Sequence, residues 1–348
     1  MVKAVHRSAA VGDTDVSAAL SGNALAFEKL AQRHRAELHV HCYRFMGSTE
    51  DAEDLVQETF LRAWAKRDTY QGTSTYRAWL YGIATHACLD ALRRRSRRVT
   101  PPEVTGPADP HADPESTTDI AWLEPYPDQL LDNIVAHGAE PEAKLISKET
   151  TELVFIAAIQ HLPPRQRAAL ILRDVLEWST KETAKSLDTT PAAINSALQR
   201  ARETLKHRWT PRETTNTNTA KLMTDTERSL VTGMVDAWEQ ADTTAVAALL
   251  SADARFVMPP IESWYDGREA IVTFLGQHAF GPSMPGQFRA IRTGANRQPA
   301  LGIYIRDAND DYRPFGLLVL TMNSGAITEM ALFQIPRLFS LAGLPKTA

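Results

Sequence analysis

Residues 51–64, DAEDLVQETFLRAW, decide the reading of this 348-residue chain. At helical period Leu55, Phe60, Leu61 and Trp64 recur at spacings near three and four, which predicts one apolar face. Asp51, Glu53, Asp54, Gln57 and Glu58 fall mainly on the opposite face. Ser48 or Thr49 stands where an N-cap belongs, and three acids crowd the first turn, where the helix dipole favours negative charge. Such a segment is either a surface helix with a solvated acidic face or a docking element. The next helix tips the choice.

That helix is residues 76–98, YRAWLYGIATHACLDALRRRSRR. Trp79, Leu80, Ile83, Ala87 and Leu92 give it an amphipathic pattern, and it ends in Arg93, Arg94, Arg95, Arg97 and Arg98. A cationic last turn suits the dipole, but five arginines in six residues exceed what a dipole needs and are the usual footprint of phosphate binding. Tyr70, Tyr76, Trp79 and Tyr81 are interleaved upstream. Stacking rings beside guanidiniums suit single-stranded or melted DNA better than a merely solvated basic end.

Residues 161–205, HLPPRQRAALILRDVLEWSTKETAKSLDTTPAAINSALQRARETL, read as helix, short helix, turn, helix. Leu170, Ile171 and Val175 define one apolar face. Ser179 or Thr180 caps the short helix, with Glu182 near N3 as in a capping box. Ala184 is small where two helices must cross. Asp188, Thr189 and Thr190 form a turn, and Pro191 takes the first position of the next helix, which proline tolerates. Ile194, Leu198, Ala201 and Leu205 bury one side of that helix, leaving Asn195, Ser196, Gln199, Arg200 and Arg202 outside. Such residues on a second helix can dock in a major groove and read base edges; a hairpin used only for packing is the alternative.

In their order these three stretches resemble an extracytoplasmic-function (ECF) sigma factor, the promoter-recognition subunit of bacterial RNA polymerase. The likeness runs over roughly residues 21–208. DAEDLVQETFLRAW resembles region 2.2, which implies that Asp51, Asp54, Leu55, Gln57, Glu58, Phe60 and Trp64 bind core RNA polymerase. Residues 79–98 resemble regions 2.3 and 2.4, which implies that Tyr76, Trp79, His86, Arg93, Arg94, Arg95, Arg97 and Arg98 melt and read −10 promoter DNA. Residues 162–205 resemble region 4, which implies −35 contacts from Thr190, Asn195, Ser196, Gln199, Arg200, Arg202 and Lys206. His86 stands where many relatives have Asn, and Asp188 replaces the usual turn Gly.

Charge supports the modular pattern. The net charge is −4, but residues 1–100 carry +4, 101–149 carry −9, 150–212 carry +4 and 213–348 carry −3. Two basic modules therefore flank an acidic connector. Cys42 and Cys88, without a CxxC partner, read as small core residues rather than metal ligands, and neither a metal nor a cofactor is expected. No apolar run reaches the roughly 18 residues of a membrane span, and a signal-peptide core is missing, so a cytoplasmic, reduced protein without membrane contact is expected. No GxxxxGK[ST] loop is present, so strand opening must draw on binding energy. Residues 1–20 are expected to be a mobile tail.

The connector, 99–149, runs PPEVTGPADPHADPEST from Pro101, a composition that predicts disorder. It then reads AWLEPYPDQLLD, where Trp122, Leu123, Tyr126, Leu130 and Leu131 mark 121–131 as a docking segment, with a target inside or outside the chain. The resemblance implies that such a connector follows the polymerase active-site cleft. After region 4 (150–209) and a polar linker (210–223), residues 224–340 change pattern: two helices, SLVTGMVDAWEQ and DTTAVAALL, strand runs ARFVMPP, QFRAIRTGANRQPALGIYIRD and YRPFGLLVLTMNSGAITEMALFQI, and a helix GREAIVTFLGQHAF. FVMPP…WYDGREAIVTFL resembles the SnoaL-like cone fold; ECF sigma factors with such an extension form known groups, and among them this chain looks most like the mycobacterial sigma-G type. The expected fold is thus multidomain, two all-α sigma domains and an α+β cone, closed by a tail at 341–348.

Met258, Trp264, Tyr265, His278, Phe280, Tyr304 and Phe333 are candidates to line a cavity in that cone for a small apolar ligand. His278, at a helix end, reads as a cap or surface residue. With no evident acid–base pair, a regulatory or ligand-sensing module is favoured over an enzyme. The expected function is promoter recognition with core RNA polymerase, tuned by the C-terminal domain; no anti-sigma partner can be named. The alternatives are a polymerase-independent DNA-binding regulator, or a cyclase or isomerase localised by its N-terminal half.

Overall fold

A computed structural model of the chain describes residues 14–116, 119–136, 152–206 and 223–348. The described residues group into two compact units. One falls within Met1–Arg97, Leu131–Thr150 and Ala158–Thr210, the other within Arg98–Leu130, Thr151–Ala157 and Pro211–Ala348.

The first unit is helical. Residues 14–20 form a helix rather than a tail, and Ala19 is buried. Short helix-forming Ala18, Ala19 and Leu20 explain the difference. The rest of the expected tail, 1–13, lies outside the described residues. Helix α1 (Ala24–Met46) starts on Asn23, whose side chain accepts from the Ala26 N–H, and ends at Gly47, φ 66°. Helix α2 (Thr49–Ala65) is capped by Ser48, with Glu50 and Asp51 in its first turn. Helix α3 (Tyr76–Leu92) is capped by Thr75. α1 packs on α2 and α3, and Leu38, Tyr43, Phe45, Val56, Leu80 and Ala84 are fully or nearly fully buried. Each large apolar side chain so buried contributes about 1.5–3 kcal/mol.

Charge also enters this interior, but paired. Glu37 accepts from His34 at 2.5 Å, Arg77 at 2.7 Å and Tyr81 at 3.2 Å. Burial alone would raise the Glu37 pKa; the His34 and Arg77 contacts outweigh it, and the net shift is downward. Cys42 and Cys88 are both buried free thiols, and burial pushes Cys88 well up.

Helix α5 (Leu153–Gln160), whose residues up to Ala157 group with the second unit, leads to α6 (Pro164–Leu170), which widens over Ile171–Val175 into a turn closed by Leu176 N–H to Ile171 O. Helix α7 (Thr180–Ser186) carries a full capping box between Ser179 and Glu182. After the turn at Asp188, φ 48°, helix α8 (Pro191–Lys206) buries Ile194, Leu198, Ala201 and Leu205. α6, α7 and α8 pack together as a helix-turn-helix.

The second unit is α+β. Helices α9 (Asp225–Glu239), α10 (Thr243–Leu249) and α11 (Arg268–Phe274) lie against a six-stranded sheet, β1 (Leu250–Met258), β2 (Ile261–Asp266), β3 (Phe288–Ala295), β4 (Gln298–Arg306), β5 (Tyr312–Asn323) and β6 (Ala326–Phe333). The strand order is β2-β1-β6-β5-β4-β3, antiparallel throughout except for the parallel pair β1 and β6. Each of the two long apolar runs is two strands. The first turns at Asn296 and Arg297, both at positive φ, and the second at Ser324 and Gly325. Alternation sends Phe256, Met258, Leu301, Ile303, Leu318, Leu320 and Leu332 to the helix-covered face, with Trp238 and Phe274. α12 (Arg337–Leu341) and the residues after it meet the other face. Leu344 approaches Gly302, and Pro345 O accepts from Tyr304 Oη at 2.8 Å. Residues 341–348 are therefore packed and not a tail.

The connector as far as Leu130 belongs to this second unit. Its expected disordered half runs along edge strand β2. Ala108 N–H donates to Trp264 O at 2.8 Å, Trp264 Nε1–H to Thr105 O at 3.0 Å, and Glu262 N–H to Glu115 O at 3.0 Å. Low hydrophobicity argued for disorder, but backbone donors on a bare sheet edge give an extended segment partners that its own side chains do not. At the far end of the sheet Asn296 exchanges two 2.8 Å bonds with Tyr126, and Asp128 accepts from Arg297 N–H at 2.8 Å. The Asp128 carboxylate fills the space a side chain would need at Gly294. Trp122, Leu123 and Tyr126 are buried, and Glu124 pairs with Arg98 and Arg337. The docking segment thus has its target within the chain. Helix α4 (Asp128–Ala136) begins within its last residues; 137–151 and 207–222, including the rest of the connector and most of the second linker, lie outside the described residues.

Candidate nucleic-acid interface

The acidic face of α2 is partly neutralised by the chain's own cations. Arg95 pairs with Asp51 and reaches Asp54 at 4.0 Å, Arg35 pairs with Glu53, and Arg62 bridges Glu58 at 2.7 Å and Asp90 at 2.9 Å. Exposed pairs of this kind are worth about 0–1 kcal/mol, so an incoming partner can replace them. Asp54 and Gln57 are exposed and Glu58 is half-buried. The apolar face divides differently from the expectation. Leu55 is buried with Ala52, Val56, Thr59 and Ala63, so it supports the helix from inside. Leu61 is 67% exposed. Phe60 and Trp64 are half-buried against Phe27, with ring centroids 6.4 and 5.1 Å away, and Arg67 lies over Trp64. The helix turns 100° per residue, so Leu61 leaves the seam that Leu55 enters; heptad-like spacing alone hid this.

On α3, Tyr76 is buried in a cluster with Tyr70 and Trp79, its phenol pushed up to about 12 by burial. Trp79 and His86 are half-buried. His86 Nε2 lies 2.8 Å from the Ser186 carbonyl, which makes it the donor, and 3.8 Å from Asp188. A cleft of about 1120 Å³ runs between α3 and the 175–188 segment, lined among others by Arg62, Arg77, Trp79, His86, Trp178 and Lys185.

The five arginines are not one patch. Arg93 pairs with Asp90 at 3.2 Å, Arg95 turns back to α2, and Arg97 lies 2.7 Å from His161. Arg98, already in the second unit, donates to Trp122 O at 2.8 Å within that unit, and Arg94 is exposed. α3 stops at Leu92, so the arginines beyond it lose helical phase and diverge.

On α8, Asn195, Ser196, Gln199, Arg200, Arg202 and Lys206 are all exposed. Arg202 makes a two-pronged pair with Asp174, Arg200 donates to Ser196 Oγ at 2.8 Å, and Lys206 meets Glu203 at 2.9 Å. Thr190 caps the helix through the Ala193 N–H. Sequence reasoning passed over Arg167. It is 3% exposed and donates to Phe45 O, Gln160 Oε1 at 2.8 Å and Gln160 O at 2.7 Å. A single arginine after a Pro-Pro pair carries no local sign of burial.

The expected cone cavity does not gather its residues. Met258, Tyr265 and Phe280 lie in the helix-covered core, whereas strand alternation puts Trp264, Tyr304 and Phe333 outside that cluster. Tyr265, Phe274 and His278 form a stack, with centroids 4.1 and 5.1 Å apart. His278 is half-buried, stacked on Phe274 rather than capping, with Nε2 unpartnered and Nδ1 3.8 Å from the solvated Asp113 of the connector. That acid could not be foreseen, because it arrives from a segment 165 positions away. Among the described residues no group of three His, Cys, Asp or Glu could hold a metal, and no helix is long and apolar enough to cross a membrane.

Residues 30–98 match the model of sigma-70 region 2, and residues 153–205 that of sigma-70 region 4. These define a sigma-70-type promoter-recognition protein. The chain is 41% identical over 320 residues to the ECF RNA polymerase sigma factor SigG of Mycobacterium tuberculosis, covering 92% of this chain and 84% of that one. It is 27% identical to SigW of Bacillus subtilis, over 53% of this chain and 89% of that one. The chain belongs to the ECF sigma factors. In fold it is similar to the M. tuberculosis ECF sigma factor SigJ, with a TM-score of 0.57 and 22% identity over 91% of this chain and 99% of that one. Helical sigma modules followed by a SnoaL-like α+β domain are therefore the architecture, and neither a polymerase-independent regulator nor a localised enzyme is favoured.

Proposed function

We propose that α2 binds core RNA polymerase through Asp51, Asp54, Gln57, Glu58, Phe60, Leu61 and Trp64, with Leu55 holding the helix from beneath. α3 and its arginines, with Trp79 and His86 at the cleft and Tyr76 behind them, open and hold −10 DNA. α8 reads the −35 element. The observation that carries this is the outer stripe of α8: Asn195, Ser196, Gln199 and Arg200 are all exposed on the second helix of a capped helix-turn-helix. Bidentate groups there discriminate bases by about 1–3 kcal/mol each. The protein acts in the cytoplasm and needs no nucleotide hydrolysis, because captured unstacked bases offset a melting cost of a few kcal/mol. The C-terminal unit regulates rather than catalyses. Its interior is aromatic and aliphatic, no ligand is assigned to it, and it holds the connector.

Run-off transcription with core polymerase tests this. The unmodified chain should start RNA synthesis at a cognate promoter. Asp54→Lys with Glu58→Lys should abolish polymerase pull-down with an unchanged circular dichroism spectrum. Arg200→Ala should lower the salt slope of −35 binding by about one. Full pull-down by the charge-reversed chain would remove α2 from the assignment.

A further inference from the structure

We propose that Glu37, buried in the middle of α1, is a positioning residue for promoter opening: its carboxylate fixes the rotation of α3, and so the direction in which Trp79 and His86 meet melted DNA. The proposal rests on the −10 assignment above. Glu37 receives donors from His34 on its own helix and from Arg77 and Tyr81 on successive turns of α3, at 2.5, 2.7 and 3.2 Å. Arg77 also reaches Tyr81 Oη at 3.3 Å and lies over the Tyr81 ring, 4.8 Å from its centroid. The side chains of Glu37 and Arg77 are only 6% and 12% exposed, so water screens the pair little.

Packing alone does not call for these residues. A cation in the first turn of a helix is opposed by the dipole, and a carboxylate between helices is costly unless its lone pairs are met. Apolar residues of like volume would fill the same space at less cost. What the carboxylate adds is direction, because its donors must arrive at hydrogen-bond angles, whereas a methyl group accepts any approach. Arg77 and Tyr81 are four residues apart and share one side of α3. Trp79 lies about 160° round the helix from either, and only about 20° from His86. The clamp and the stripe assigned to DNA are therefore opposite faces of one helix, and any turn of α3 on α1 swings both by the same angle. A second path runs through rings. His34, held by Glu37, lies 6.1 Å from Tyr76, which sits 5.4 Å from Trp79 and 5.8 Å from Tyr70. One side chain of α1 thus governs both the stripe and the ring cluster.

Separating strand opening from the other steps tests this. With core polymerase, Glu37→Gln should keep pull-down and should transcribe a template already mismatched across the −10 element as well as the unmodified chain does. On the fully paired promoter the same variant should lose about tenfold or more, as expected of a displaced reacting group. The fluorescence rise of 2-aminopurine placed in the paired −10 element should be lost with it. A merely structural role would lower output from both templates alike. Should Glu37→Gln fold poorly, Glu37→Met with Arg77→Met decides: this apolar pair should keep the circular dichroism spectrum and show the same split between templates. Equal losses on the two templates by a folded variant, full activity on paired DNA, or a double variant that cannot fold would each overturn the positioning. Failure of Trp79→Ala to impair the paired promoter would instead sink the −10 assignment, and the positioning with it.

Discussion

His41 shows how a single interior residue couples the helical unit to pH. It is fully buried, and its Nε2 lies 3.0 Å from Thr85 Oγ1, whose hydroxyl proton is already donated to Tyr81 O. Nε2 must therefore carry the hydrogen, leaving Nδ1 bare and unpartnered. Burial, with Arg44 and Arg77 nearby, lowers its pKa from 6.5 to about 3. The unfolded chain takes up a proton near pH 6.5 that the folded chain refuses until about pH 3. Stability should therefore fall as pH drops through that window, by up to about 1.4 kcal/mol for each unit. Glu37 acts in the same direction below its ordinary range. Urea midpoints followed from pH 7 to pH 4 should show this decline, and His41→Gln should flatten it. An unchanged slope in that variant would place the proton elsewhere.

At the scale of elements, the turn between α7 and α8 deserves a test of its own. Asp188 adopts φ 48° where a left-handed conformation costs a non-glycine residue roughly 1–2 kcal/mol. Asp188→Gly is expected to raise the thermal midpoint slightly, by up to about 1 kcal/mol of stability, since glycine's extra chain entropy takes back part of the gain. A lowered midpoint would mean that the nearby His86 contributes more through Asp188 than the strain costs. This turn was legible in advance, as were the start of α8 at Pro191 and its buried face and, to within one residue, the caps that the structure gives to Ser48 and Ser179, because each is written within a few residues. What could not be read is non-local. Leu55 and Leu61 are equally apolar, and only packing against α1 decides which goes inside. Five cations within six residues announce phosphate, yet most of them meet partners from α2, residue 161 and the connector. Asn296 and Arg297 turn the chain without glycine or proline, so one long run hid two strands.

The largest departure concerns the whole molecule. A Pro-rich acidic connector looks like a spacer, yet residues 98–130 complete the C-terminal unit, edging β2 at one end and holding the β3–β4 turn at the other. Its prolines supply no donors, so it covers the edges without extending the sheet. A chain cut after Lys206 would consequently not be a clean two-module protein. Trp122, Leu123 and Tyr126, each at most 7% exposed here, would lose their sheet. Such a truncation should bind an apolar dye more strongly than the full chain and aggregate on a sizing column. Replacing 98–130 in the truncated chain by a Gly/Ser linker of equal length should remove both effects. Equal dye binding by truncated and full chains would mean that the connector finds cover without the sheet.

Arg97 and Arg98 are neighbours, yet one serves His161 and the other serves Trp122 and Glu124. The peptide bond joining them is where one compact unit gives way to the other. An insertion at that bond would therefore bear on one side-chain pairing in each unit at once.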